Sequence, residues 1–434
     1  MKLKRKEPTC TILESPINVN YKVVGRREWL DGRMAPGALP VDRRVEISSS
    51  SDLQFIKDWL DTQKIQGLDT ETSGSQDGDG LDPISSTSKI VLAQYGTDEQ
   101  VFLIEPDLLP EFKSQLQNQN RLLVGQNILH DFEFILMKYD FPLVRIYDTM
   151  LAEQLLTAGL PGVKVGLKDM CCKYPPHYII SKAQRSNFID IHDTDKFTKE
   201  MLDYGAQDVY EMFPVFRSQW PLLVKYELTR AGQDEFDCIP VTAEMELTGI
   251  ALDEKIILLA VSWYVERQAE IKKEVIKLYN QMLRKKKLRK QLTVLDEKDI
   301  VDHFDIDSSH DKLRTLKVLG YNVSDVKRET LNEFNDPFMK LLAEYTECQK
   351  ITSTYGQSLL DKRHPLDGLF HPEFHQMGQG EGDKKRTTTT ATERFTSDAQ
   401  QIPRPENEYK EITNTAIIAG LKERHQAIFD EALA

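Results

Sequence analysis

Apolar residues at Leu53, Ile56, Trp59 and Leu60 are spaced by three, three and one, which predicts a helix over residues 51–62 with Ser51 or Asp52 near its N-cap. Residues 64–70 then read as a strand, and a Gly/Ser/Asp loop covers 73–88. Two further strand-like runs, 90–95 and 100–104, are joined by a short turn through Gly96 and Asp98. A helix near 112–119, a strand at 121–125 and a helix from about 128 to 139 follow, then helical patterns at 149–157, 167–173 and 196–216. Three successive strands and then alternating helix and strand predict an α/β fold: a mixed sheet with helices on its faces. Residues 1–40 look irregular, with Pro8, Pro16, Pro36 and Pro40. From about residue 226 the texture becomes mainly helical, through 227–282, a run of short helices and turns over 293–346 with an N-cap-like start at Asp307-Ser308-Ser309, and 350–360. Residues 378–392 are polar and read as a loop. The expected division is an irregular segment at 1–40, an α/β domain at 41–225, a helical region at 226–365 and a final region at 366–434.

At 434 residues, 40% hydrophobic and 29% charged, the chain has the composition of two or three ordinary globular domains. No apolar run approaches the ~18 residues of a membrane span, and no apolar core follows the basic N-terminus, so membrane and secretory classes are set aside. Five cysteines with no C-x-x-C pair predict reduced thiols and a cytoplasmic setting. His371 and His375 are separated by Pro372 and lack a cysteine partner, which argues against zinc. The net charge of −13 argues against indiscriminate coating of nucleic acid. It leaves room for a local basic patch, and Arg284, Lys285, Lys286, Lys287, Arg289 and Lys290 form one.

Three acidic motifs carry the chemistry. Asp69 and Glu71 are two apart on a strand, so they project from one face while Leu68 and Thr70 point the other way. Asn127 suits an N-cap, and Asp131 falls in the first turn of the helix that follows. Tyr204 and Asp208 are four apart on a helix and share a face, with the small Gly205 and Ala206 between them. Singly, each motif also reads as ordinary structure: a solvated strand end, a dipole-favoured acid, an amphipathic helix. Together, four acids aimed at one point repel unless cations lie between them, which predicts a two-metal site for cutting phosphodiesters. Oxygen ligands of this kind suit hard divalent cations.

These motifs resemble the 3′→5′ proofreading exonuclease of family A DNA polymerases, the DNA polymerase I type, in its DEDD tyrosine subclass with a ribonuclease H-like fold. The matching stretches are Gly67-Leu68-Asp69-Thr70-Glu71-Thr72, residues 125–131, Tyr204-Gly205-Ala206-Gln207-Asp208 and, between the last two, Tyr147-Asp148-Thr149-Met150. The resemblance implies that Asp69, Glu71 and Asp208 hold one Mg²⁺ or Mn²⁺, that Asp69 and Asp131 hold a second, and that Tyr204 positions the attacking water, with Asn127 in support. Residues 243–253, 304–309, 350–355, 368–372 and 375–376 are similar to the thumb and the start of the palm of such polymerases. By that likeness Lys350, Thr354, Tyr355, Arg394 and the block Arg284, Lys285, Lys286 and Lys287 contact DNA.

Two departures bear on function. Glu393 stands beside Arg394 where the family carries glycine, and a carboxylate there repels phosphate. The palm's metal-binding aspartate and the nucleotide-binding helix do not occur in the 30 residues after Arg404, so the chain is expected not to synthesise DNA by itself. A separately encoded palm and fingers fragment is the implied partner, beside single-stranded and primer-template DNA, and a phage origin, with action in the host cytoplasm, is the implied source. The leading expectation is a metal-dependent 3′→5′ DNA exonuclease acting in replication. The alternatives are a non-catalytic DNA-binding or assembly subunit of a split polymerase and an RNA-trimming DEDD exonuclease.

Overall fold

The computed structural model describes residues 11–12, 17–74, 79–158, 163–179, 188, 191–192, 195–285, 304–377 and 396–397. The described residues fall into two compact units, one drawn from 1–248 and 372–398, the other from 249–371. The expected boundary at 225/226 thus lies at 248/249, because the helix Thr229–Thr248 packs through Phe236, Ile239 and Ala243 into the core of the first unit.

The first unit is built on a seven-stranded mixed sheet. Its strands are β1 (Tyr21–Gly25), β2 (Arg44–Glu46), β3 (Ile65–Ser73), β4 (Lys89–Gly96), β5 (Val101–Ile104), β6 (Leu122–Gly125) and β7 (Ile146–Asp148), in the order β2-β1-β5-β4-β3-β6-β7. β4 runs antiparallel to both β3 and β5, and the remaining neighbours are parallel. β3 therefore lies between β4 and β6, with every residue from Gln66 to Leu68 and from Thr70 to Ser73 buried. The expected mixed sheet is present. The segment at 1–40 departs from expectation: β1 is a sheet strand with Val23 and Val24 fully buried, and it is followed by helix α1 (Arg27–Arg33). Proline spacing hid these elements, since the prolines flank them rather than interrupt them.

Further helices cover the sheet: α2 (Gln54–Thr62), the single turn α3 (Lys113–Leu116), α4 (Leu129–Tyr139), α5 (Thr149–Leu156), α6 (Leu167–Lys173), α7 (Lys199–Lys225) and α8 (Thr229–Thr248). The cap before α2 is Ser49, in a reciprocal box with Asp52, and not Ser51 or Asp52 itself. Pro106 and Pro110 keep much of the segment before α3 in a 3₁₀ turn, so the helix expected at 112–119 shrinks. Leu68 of β3 shares one hydrophobic cluster with Phe132, Phe134 and Ile135 of α4. On the opposite face, Gly67 of β3 lies under α7: a Cβ there would stand 2.9 Å from Val209 Cγ1. The absence of a side chain at Gly67 is what lets α7 lie close to the strand.

The second unit is helical: α9 (Glu254–Lys285), α10 (Ser309–Val318), α11 (Arg328–Asn332), α12 (Pro337–Thr354) and α13 (Gln357–Leu360). Ile271, Val275 and Tyr279 of α9 form one core with Leu316 of α10 and with Phe338, Met339 and Leu342 of α12. Arg267 bridges to Glu344 at 2.6 Å, tying α9 to α12. Ser308 caps α10, accepting from the Asp311 N–H, as its sequence indicates. Lys312 is buried, its ammonium donating to Gln349 at 3.2 Å and Thr346 at 3.4 Å, and burial pulls its pKa down.

Cys171, Cys238 and Cys348 are reduced thiols, whereas Cys172 is disulfide-bonded, which corrects the expectation of reduced cysteines throughout. No described helix is long and apolar enough to cross a membrane.

Candidate metal centre

The alternation of β3 sets up the site. Odd residues face α7, so Asp69 and Glu71 emerge on the side where Gly67 admits that helix. Along α7, Tyr204 and Asp208 share a face, as the i,i+4 spacing predicts. Carboxylate oxygens of Asp69, Glu71 and Asp208 lie within 4.8 Å of one another, the one such cluster among the described residues. Glu71 is buried, and Asp69 and Asp208 are half-buried. The Tyr204 hydroxyl hydrogen-bonds Asp208. Burial, and then the charges of Asp208, Glu71 and Asp69, drive the Tyr204 pKa well above its ordinary value, so the phenol stays a neutral donor. Its ring packs against Phe188, with centroids 6.2 Å apart.

Asp131 is not among the three acids of that cluster. It sits on α4, on the face to which Leu68 and Thr70 point, and Thr70 Oγ1 donates to its Oδ1 at 2.6 Å. Burial raises its pKa to about 7, against the lowering effect of the Thr70 bond.

Asn127 is not the cap of α4. It takes a left-handed conformation (φ 54°), and α4 has no side-chain cap of its own. The acceptor is Asp148, distant in sequence. Asp148 Oδ2 accepts from Ile128 N at 2.7 Å, while Oδ1 accepts from Met150 N at 2.7 Å and Leu151 N at 3.0 Å, capping α5. The Asn127 N–H also points to this carboxylate. Four backbone donors oppose the burial that raises the Asp148 pKa. One buried acid thus joins the starts of both helices.

Gln94 was not singled out by its sequence, although a glutamine within the apolar run of β4 was the available signal. It is the register partner of Asp69, fully buried, and its Nε2 lies 3.5 Å from Glu71 Oε1.

Of the residues expected to contact DNA, Lys350 and Thr354 are exposed near the end of α12. Tyr355 follows the last turn of α12 and is largely buried, and burial raises its pKa. Arg284 and Lys285 belong to the last turn of α9, while Lys286, Lys287, Arg394, Glu393 and the loop 378–392 lie outside the described residues.

The first unit thus carries three clustered carboxylates and a tyrosine on one face of a mixed sheet with flanking helices. Residues 46–223 match the family model of the 3′-5′ exonuclease of DNA polymerase A. The chain is similar to DNA polymerase I of Chloroflexus aurantiacus (27% identical over 247 residues, 54% of this chain and 24% of the relative). It is also similar to DNA polymerase I of Rhizobium leguminosarum (28% over 158 residues, 35% of this chain and 15% of the relative). Each match therefore spans about a quarter or less of the curated relative. Among solved structures, the POL domain of Pol1 from M. smegmatis, in complex with DNA primer-template and dNTP, shares the fold at a TM-score of 0.52. The identity is 15%, covering 80% of this chain and 55% of that one.

Proposed function

We propose that this chain is a divalent-metal-dependent 3′→5′ DNA exonuclease of the proofreading kind, acting in DNA replication. The observation that carries the reading is the placement of Asp69, Glu71 and Asp208 within 4.8 Å of one another beside a neutral Tyr204. Three carboxylates with no softer donor among them fit Mg²⁺ or Mn²⁺, and Asp69, Glu71 and Asp208 would hold the ion. A second ion, shared with Asp131, belongs to the same reading. Bound cations would supply charge neutralisation at the scissile phosphate and a more acidic attacking water. The protein's own groups orient the reactants. Tyr204, held protonated, donates or accepts at the water without carrying metal, and Asp208 fixes its hydroxyl. In the second unit, Lys350 and Thr354 offer exposed donors for a phosphate backbone. The setting proposed is intracellular.

The test is incubation with a 5′-labelled single DNA strand and Mg²⁺. A ladder shortening stepwise from the 3′ end is expected, lost in Asp69→Ala and on chelation. Intact substrate with folded protein would overturn the proposal. A matched RNA strand run in parallel is expected to be cut more slowly, and the reverse preference would reassign the substrate to RNA.

A further inference from the structure

Gln94 occupies the gap between α7 and the acidic cluster. Its side chain is fully buried, its Nε2 approaches Glu71 Oε1 at 3.5 Å, and its Oε1 has no hydrogen-bond partner among the described residues. On the other side, a Cβ added to Gly205 would stand 2.9 Å from Gln94 Nε2, closer than packed atoms come. The carboxamide is therefore enclosed between the helix backbone at Gly205 and the Glu71 carboxylate. Its partner in the β3–β4 register is Asp69, so it sits beside both acids of the strand.

An amide suits this position chemically. It restricts the rotation of a carboxylate by donating a hydrogen bond, yet adds no positive charge that would compete with a cation for the same oxygens. A lysine would neutralise Glu71, and an apolar residue would remove this donor. A buried amide acceptor left without a partner is a cost the fold carries at this point. We propose that Gln94 is a positioning residue that orients Glu71 for cation binding, and that glycine at 205 is required because any side chain there displaces the carboxamide. This rests on the metal-dependent reading above.

The experiment titrates Mn²⁺ into the full chain, following free Mn²⁺ by electron paramagnetic resonance, with no substrate present. Gln94→Met keeps the volume and removes the donor, and Gly205→Ala leaves Gln94 intact but crowds it. Circular dichroism and the melting temperature verify folding. Both variants are expected to bind Mn²⁺ 10- to 100-fold more weakly. Excess Mn²⁺ should restore their exonuclease rate, with the metal-free affinity for single-stranded DNA unchanged; a merely structural role would not be rescued in this way. Mn²⁺ binding equal to wild type in a folded Gln94→Met, or in Gly205→Ala should the first fail to fold, would overturn the role of Gln94. A wild-type chain that takes up no Mn²⁺, with Asp69→Ala indistinguishable from it, would instead overturn the metal reading, and Gln94 with it.

Discussion

Thr70 Oγ1 donates a 2.6 Å hydrogen bond to Asp131 across the face of β3 opposite the acidic cluster. One tripeptide, Asp69-Thr70-Glu71, thereby serves both sides of a strand: its outer residues supply the cluster and its middle residue holds the fourth acid. Thr70→Val keeps the shape and removes the donor. It is expected to lower stability by about 1–3 kcal/mol, the cost of leaving a buried acceptor short of a partner. Urea denaturation checks this. Asp131 should also titrate higher in the variant, since the hydroxyl is the largest of the influences that pull its pKa down.

Asp148 is expected to matter more than a simple cap. An ordinary N-cap deletion costs about 1 kcal/mol, but this carboxylate accepts backbone N–H groups at the starts of both α4 and α5. Asp148→Ala should therefore cost about 2–4 kcal/mol. A loss no larger than that of Thr198→Ala at the cap of α7, measured in the same denaturation series, would refute the double role.

Tyr204→Phe retains the ring packed on Phe188 and removes the hydroxyl bound to Asp208. If the phenol orients the attacking water, kcat for single-strand degradation should fall about 10- to 100-fold with KM little changed. A change confined to KM would place Tyr204 in substrate binding instead.

Glu211 provides a pH test independent of catalysis. It is fully buried on α7 and receives the Tyr178 hydroxyl, the Cys171 thiol at 3.6 Å and Gln207 Nε2 at 3.2 Å. Burial raises its pKa to about 8. Between the unfolded value of about 4.3 and 8, the folded state holds a proton that the unfolded chain has released. Its contribution to stability is complete below about pH 4.3 and is lost as pH rises through 8. The melting temperature should thus fall across pH 5–9 by more than in Glu211→Gln. Parallel profiles would show that Glu211 is already ionised in the fold.

Lys350 is exposed in the last two turns of α12. If it meets a phosphate, Lys350→Ala should weaken duplex binding for all sequences alike and reduce the log–log salt slope by about 1. An unchanged slope, measured by fluorescence anisotropy over a range of salt, would remove it from the interface.

Much of the site was legible because it obeys local periodicity. The two-residue repeat of a strand aligned Asp69 with Glu71, and the i,i+4 repeat of a helix aligned Tyr204 with Asp208. The bond between Thr70 and Asp131 was not legible, since helix position alone does not tell which strand residue a helical side chain meets. Asn127 misled for a related reason. A cap-favouring residue lay at the right place, yet the backbone turned left-handed there and handed its N–H groups to Asp148, about twenty residues onward.

The chain's own periodicity determined the kinds of element, the mixed sheet and the pairing of acids within each element, because these depend on backbone geometry over a few residues. Tertiary structure decided which elements meet. Gly67 brings α7 down on β3 so that Asp208 reaches Asp69 and Glu71, and Gly205 makes room for a glutamine from β4. It sends Thr70 to Asp131 and gives two helices one cap. Such contacts join residues far apart in the chain, and close packing of whole faces selects them, which local spacing does not encode.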